Sequence, residues 1–179
     1  VKPEDADAPE EIRWEGRFIT AKTRGRWEYV GRARGIHAAV ILALDEGHVI
    51  LVEQFRVPLG RTCIELPAGL VGDDEGAADE APETAAIREL EEETGYRAAR
   101  MERLGEYYSS PGMVSESFSL FRATKLVRAG KGGGVGDENI VTHRVPLSGI
   151  ASFIEKQRAA GKAIDVRILL LLGTSLVGT

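Results

Sequence analysis

Cysteine occurs once in these 179 residues, at Cys63. A disulfide framework within the chain is thereby excluded. The apolar, strand-like run around Cys63 makes it a packing residue rather than a nucleophile. The three histidines, His37, His48 and His143, are scattered without ligand spacing and take no role. Long hydrophobic runs are missing too: residues 168–172 form an apolar stretch far too short to cross a bilayer. No signal-peptide pattern opens the chain, which begins Val-Lys-Pro-Glu-Asp-Ala-Asp, and the expectation is a cytoplasmic protein. Positive charge is in deficit, with 23 Lys and Arg against 28 Asp and Glu and a net charge of -5. That balance argues against nucleic acid or an anionic membrane surface as partner. An anionic small substrate stays open, because a bound metal reverses the local field.

What is present is ordinary for one globular domain: 43% hydrophobic and 28% charged residues in a chain long enough to bury a core. There is no internal repeat. Segments 11–23 and 26–33 flank Arg24-Gly25 and read as a β-hairpin. Segments 38–44 and 48–55 make a second pair around Asp45-Glu46-Gly47. A short strand over 62–66 precedes Pro67-Ala68-Gly69. Strands are expected over 100–108, 116–125 and 140–145. The 128–138 loop is marked by Gly130 and Gly132-Gly133-Gly134. Helices are expected over 148–160 and 166–176, the last apolar enough to pack against a sheet. Trp14, Phe18, Trp27 and Tyr29 crowd the opening hairpin and need a surface to cover them, which predicts a homodimer joined through the hairpins.

The chemistry concentrates in one helix. Pro82 suits a first helical position, where its missing N–H costs nothing. Glu83 sits near the positive end of the helix dipole. Residues 84–94 hold no Gly or Pro, and Gly95 follows as a C-cap. At about 100° per residue, Ala86, Ile87, Leu90 and Thr94 share one stripe. Glu89, Glu92 and Glu93 share another, at the spacings of helical neighbours. Glu91 points elsewhere into solvent, and Arg88 lies where it braces Glu92. Three carboxylates on one face repel one another without a cation. Oxygen ligands with no Cys or His nearby select a hard ion, Mg2+ or Mn2+.

Gly69, Glu80 and the run Arg88-Glu89-Leu90-Glu91-Glu92-Glu93-Thr94-Gly95-Tyr96 resemble the box of the Nudix hydrolase family, with seven residues between Glu80 and Arg88. One departure is a longer segment between Gly69 and Glu80: ten residues, including Gly72-Asp73-Asp74-Glu75-Gly76, where the family pattern has five. Either Glu75 or Glu80 then plays the first glutamate's part, and the fixed spacing to the helix favours Glu80. The resemblance implies an α/β fold, the Nudix α/β/α sandwich with a mixed sheet. Residues 1–34 would be an N-terminal extension carrying the hairpin and the dimer contact, and residues 35–179 the hydrolase domain.

Three flanking pieces look like the ADP-ribose pyrophosphatase branch. Val52-Glu53-Gln54-Phe55-Arg56 is followed by Glu65-Leu66-Pro67-Ala68-Gly69. Pro111, in Ser109-Ser110-Pro111-Gly112, stands sixteen residues after Gly95, with Ser115-Glu116 beyond it. Asp137-Glu138-Asn139 precedes a strand, where relatives carry a catalytic glutamate on a mobile loop. The activity implied is metal-dependent hydrolysis of ADP-ribose to AMP and ribose 5-phosphate. On this resemblance Glu89, Glu92 and Glu93, with Glu80 and the Ala68 carbonyl, hold the Mg2+ ions. Glu138 is the general base on a loop that glycines leave free to close, and Glu93 and Arg88 complete the catalytic set. Arg56, Glu53, Pro111 and Glu116 meet the substrate, a planar guanidinium being suited to a diphosphate. The alternatives are a pyrophosphatase for another nucleoside diphosphate sugar or oxidised nucleotide, and a non-catalytic binding module. Intact Glu89, Glu92 and Glu93 speak against the module.

Overall fold

The structure, a computed structural model, describes residues 2–33, 36–72 and 80–177, apart from the side chains of Thr174, Ser175 and Val177. Strands β1 (Glu10–Glu15), β2 (Ile19–Arg24) and β3 (Trp27–Arg32) form an antiparallel sheet of their own. The hairpin about Arg24-Gly25 closes β2 on β3. Its first arm departs from the expected single strand. Segment 11–23 is two strands, broken where the Gly16 N–H donates to the Ile19 carbonyl and the chain reverses.

The rest of the chain runs through β4 (His37–Asp45), β5 (His48–Arg56), β6 (Arg61–Glu65), β7 (Ala68–Val71) and α1 (Pro82–Thr94). It continues as β8 (Tyr96–Tyr108), β9 (Ser117–Arg128), β10 (Val141–Pro146), α2 (Ile150–Ala159), β11 (Ala163–Ile164) and α3 (Leu169–Val177). The second sheet is ordered β11-β6-β5-β4-β9-β8, with β10 added on β5 and β7 on β4. It is mixed: β4 runs parallel to β9 and β6 to β11, while the other pairs are antiparallel. β7 and β11 have no counterpart in the sequence reading, since four and two residues are too few to display a period.

Strand alternation sets the layers. On β4 and β5, Val40, Val49 and Leu51 face one way, into a cluster with Ile150 and Ile154 of α2 and Leu172 of α3. Ala39, Ile41, Ala43 and Ile50 face the other way, against Ala85, Ala86 and Leu90 of α1. The result is an α/β/α sandwich with a small antiparallel sheet before it. Among the described residues no helix is long and apolar enough to cross a membrane.

Candidate active site

Helix α1 begins on Pro82 and ends at Gly95, whose φ of 72° lets its N–H return to the Glu91 carbonyl. Ala85, Ala86, Leu90 and Thr94 are buried. Ile87 is not; it is 44% exposed, because it lies about 100° round from Ala86, at the edge of the stripe. Glu93 occupies the inward side instead and is buried. The three carboxylates are therefore graded from core to surface, with Glu93 innermost and Glu92 outermost.

Arg88 gathers the acids. Its Nη1 donates to Glu89 Oε1 at 2.8 Å and to Glu92 Oε2 at 3.1 Å, and its Nε to Glu80 Oε1 at 3.4 Å. Burial alone would lower the Arg88 pKa, yet Glu80, Glu89 and Glu92 together hold it above the ordinary range. Glu80 also accepts the Gly72 N–H at 3.4 Å, which ties the start of the helix to the end of β7. Glu75 and its neighbours 73–79 lie outside the described residues. Strand β7 supplies backbone: the Ala68 N–H donates to Glu93 Oε2 at 3.0 Å. A Cβ on Gly69 would lie 1.9 Å from the Glu89 Cδ, so a side chain there would push that carboxylate from its place. Burial pushes the Glu93 carboxyl up to about 8; the Glu89 and Glu138 charges add to the rise, and the Ala68 N–H and Arg56 oppose it.

Among the described residues, no three His, Cys, Asp or Glu side chains are arranged to hold an ion as they stand. Glu89 and Glu92 are turned onto Arg88. The donors at this rim are nonetheless all oxygen, and three acids share one guanidinium while Glu93 lies just inside them. That chemistry suits a hard divalent ion.

A cleft of about 520 Å³ opens beside Ala68 and Gly69, with Arg32, Arg56 and Arg167 on its walls against Glu65, Glu116 and Asp165. Arg56 donates through Nε and Nη2 to Glu65 Oε1 and Oε2 at 2.6 and 2.7 Å, and this pairing raises its pKa further. Glu116 accepts from Arg32 Nε at 2.6 Å. Pro111 stands outside the lining. It belongs to the turn at Ser110, whose carbonyl accepts from the Met113 and Val114 N–H groups, and Val30 of β3 bonds Met113 and Ser115 on either side. Glu53 is also outside the lining. Burial would raise its pKa, but Lys162 at 2.7 Å and His143 at 2.8 Å hold it below the ordinary value. His143, given no role by the sequence, is thus a partner of Glu53. Burial pushes the Cys63 thiol up to about 12, a poor nucleophile.

The loop after β9 departs from the expectation of a free hinge. Its glycines are seated on the C-terminal end of α1. The Gly133 and Gly134 N–H groups donate to the Glu93 and Glu92 carbonyls at 2.9 and 3.0 Å. Ala129 and Gly130 donate to the Gly95 carbonyl, and Arg128 Nη1 reaches the Thr94 carbonyl at 3.1 Å. Several of these are carbonyls that a helix end leaves without intrahelical partners. Gly132, at φ 68°, could carry no side chain, since a Cβ would lie 2.4 Å from the Thr94 carbonyl carbon. Glu138 lies beyond, exposed, accepting the Val135 N–H at 2.8 Å.

Sequence reasoning missed Arg32, Asp165 and Arg167, and gave Glu65 no role. Arg32 falls in the segment read as an extension. Asp165 did carry a signal, an acid opening a turn: its carboxylate accepts the Arg167 N–H at 2.8 Å.

Known proteins match both the box and the fold. The family profile for the NUDIX domain covers residues 33–144. The ADP-ribose pyrophosphatase of Bacillus subtilis is 47% identical over 88 residues, 49% of this chain and 45% of that protein. The methanol dehydrogenase activator of Bacillus methanolicus is 38% identical, and the match covers 53% of it, so the chain spans about half the length of these two relatives. The GDP-mannose pyrophosphatase of Cronobacter sakazakii is 41% identical over 149 residues, 78% of this chain and 72% of that protein. The crystal structure of an ADP compounds hydrolase matches with a TM-score of 0.67 at 23% identity, over 95% of this chain and 92% of that one, a likeness of fold. With the family profile spanning more than half of its length, the chain belongs to the Nudix hydrolase family.

Proposed function

We propose that this chain hydrolyses the diphosphate bond of ADP-ribose to AMP and ribose 5-phosphate, with Mg2+ as its divalent ion. The observation that carries this reading is the set of Glu89, Glu92 and Glu93 beside a cleft whose walls also hold Arg56. Nudix hydrolases act on small nucleoside diphosphate substrates and generally use divalent metal ions, and the Bacillus subtilis relative is an ADP-ribose pyrophosphatase. Glu89, Glu92, Glu93, Glu80 and the Ala68 carbonyl would hold Mg2+ or Mn2+, which supplies charge neutralisation at the diphosphate and a lowered pKa for a bound water. Arg88 keeps the glutamates at fixed separations. Arg56 meets the diphosphate oxygens with its planar fork. Glu116 stands across the cleft, and the Pro111 turn serves by seating the segment that carries it. Glu138 leaves the Val135 N–H and takes the proton of the attacking water. As that water's oxygen bonds to phosphorus, the bridging P–O bond breaks. Glu53, tied to Lys162 and His143, is not carried forward as a substrate contact.

A second reading, a pyrophosphatase for another nucleoside diphosphate sugar, is favoured by the GDP-mannose pyrophosphatase match over 78% of the chain. A panel of ADP-ribose, GDP-mannose, other nucleotide sugars and NADH with Mg2+, products separated by chromatography, decides between them. AMP and ribose 5-phosphate from ADP-ribose as the fastest reaction supports the first reading. Faster turnover of GDP-mannose replaces it with the second, and no turnover of any compound leaves a binding module.

The proposed form is a cytoplasmic homodimer, with residues 1–34 at the contact and 35–179 as the hydrolase domain. Trp14 at 56%, Trp27 at 52% and Phe18 at 43% exposure leave aromatic side chains uncovered on the first sheet and in its β1–β2 connection, which supports a partner there. A monomer by light scattering at micromolar concentration would contradict it.

A further inference from the structure

We infer that Arg167, oriented by Asp165, is a positioning residue for Arg56, which it fixes in the cleft by gripping their shared partner, Glu65. The inference rests on Arg56 being the group that meets the diphosphate.

Glu65 closes β6 and is 2% exposed. A carboxylate so buried is tolerated when its oxygens are paired. Arg56 takes both of them, and Arg167 Nη2 adds a second contact to Oε2 at 3.3 Å. Oε2 therefore lies between two guanidinium groups. Arg167 does not owe its own place to Glu65. Its Nε and Nη2 donate to Asp165 Oδ1 and Oδ2 at 2.6 and 2.9 Å, and the guanidinium lies 5.8 Å from the centre of the Phe118 ring. Asp165 is fixed in turn by its own N–H, which donates to the Ile64 carbonyl at 3.0 Å, one residue before Glu65. The same region of β6 pairs with β11 through Ile64 and Ile164.

The turn that carries Arg167 is thus anchored to the strand that carries Glu65. Glu65 is held from behind and cannot swing when Arg56 is drawn toward an anion. The exposures agree with this order: the Arg56 side chain is 40% exposed and Arg167 19%. The outer arginine faces the cleft, and the inner one braces its counter-charge. Because Arg167 also contacts Glu65 Oε2, Arg56 can give part of its pairing to a phosphate oxygen without leaving that buried carboxylate unpartnered.

Arg167→Met keeps most of the stem and removes the charge. The KM for ADP-ribose is expected to rise about 10-fold while kcat stays within about threefold, the pattern of lost uniform binding. The Nε–H resonance of Arg56, identified by its disappearance in Arg56→Lys, is expected to shift or broaden. In the Arg56→Lys background the same substitution should add less than about twofold to KM, since coupled residues are not additive. Equal KM penalties in both backgrounds, or an unmoved Arg56 resonance, overturn the inference. Should Arg167→Met fail to fold, Asp165→Asn loosens Arg167 while leaving the Arg56–Glu65 pair. The same resonance shift is expected there, and its absence is equally decisive. The resonance is read without substrate. A parent protein inactive on the whole panel therefore overturns the proposed function, while the positioning of Arg56 is still decided by the resonance.

Discussion

The two sides of the cleft region carry charge in opposite ways. On the α1 side, Glu80, Glu89 and Glu92 converge on the single guanidinium of Arg88, and Glu93 lies just inside them. On the other, Arg32, Arg56 and Arg167 are matched by Glu116, Glu65 and Asp165. The first side is short of cations and the second is balanced. Their tasks differ accordingly. Under the proposed function, the acidic side would gain from cations drawn out of solvent, whereas the arginine side already holds its counter-charges and would exchange contacts with them for phosphate oxygens. They differ in origin as well. Residues 80–93 make the acidic side almost alone. The arginine side is assembled from β3, β5, β6, the segment before β9 and the turn after β11.

Removal of divalent ions strikes the acidic side alone and is expected to have the largest effect. Activity should vanish in EDTA and return with Mg2+ or Mn2+; full turnover in EDTA would erase the contrast. Glu138→Gln should lower turnover by ~10²–10⁴-fold, the range for loss of a general base, with KM little changed because Arg56 is untouched. Asp137→Asn should be much milder. If both variants stay within a few-fold of the parent, the base lies elsewhere, and Glu116 is the next acid to test. Glu93→Gln should cost at least ~100-fold in turnover with the fold kept, since it removes charge from a metal-dependent transition state. Near-normal rates in that variant would sink the assignment.

The smallest effect is on stability in the metal-free protein. Burial raises the folded-state pKa of Glu93 from 4.5 to about 8. Between these values the unfolded chain ionises while the folded protein holds its proton. The contribution of Glu93 to stability is therefore full below about 4.5, declines as pH rises to about 8, and is level above. Melting curves of the EDTA-treated parent should fall relative to Glu93→Gln across that window, and the gap should narrow when Mg2+ is added. A gap independent of pH would contradict the burial of Glu93.

The same contrast explains how much was legible beforehand. Helix α1 could be read because its determinants act within a turn or two: Pro82 at the start, Gly95 at the end, and the acids three and four residues apart. The sandwich came from the family resemblance, which the strand and helix segments read from the sequence fitted. The arginine side could not be read this way. Arg32 meets Glu116 across 84 residues, and Glu65 meets Arg167 across 102, distances at which no local period speaks. Ile87 failed because a stripe drawn at 100° intervals has edges, and the tertiary contacts chose Glu93 for the inner side. Segment 11–23 failed because Gly16 alone is a weak break in an otherwise strand-like run. The glycine run after β9 failed for a different reason. Composition reveals the freedom of a glycine and not its use, and here that freedom is spent on reaching the end of α1.

That seating joins two sites that the chain keeps some forty residues apart. The Gly133 and Gly134 amides can exchange with solvent only when they leave the Glu93 and Glu92 carbonyls. Exchange at these two amides and fraying of the last turn of α1 are therefore expected to be coupled. A cation that settles on Glu92 and Glu93 will slow exchange in a loop it never touches.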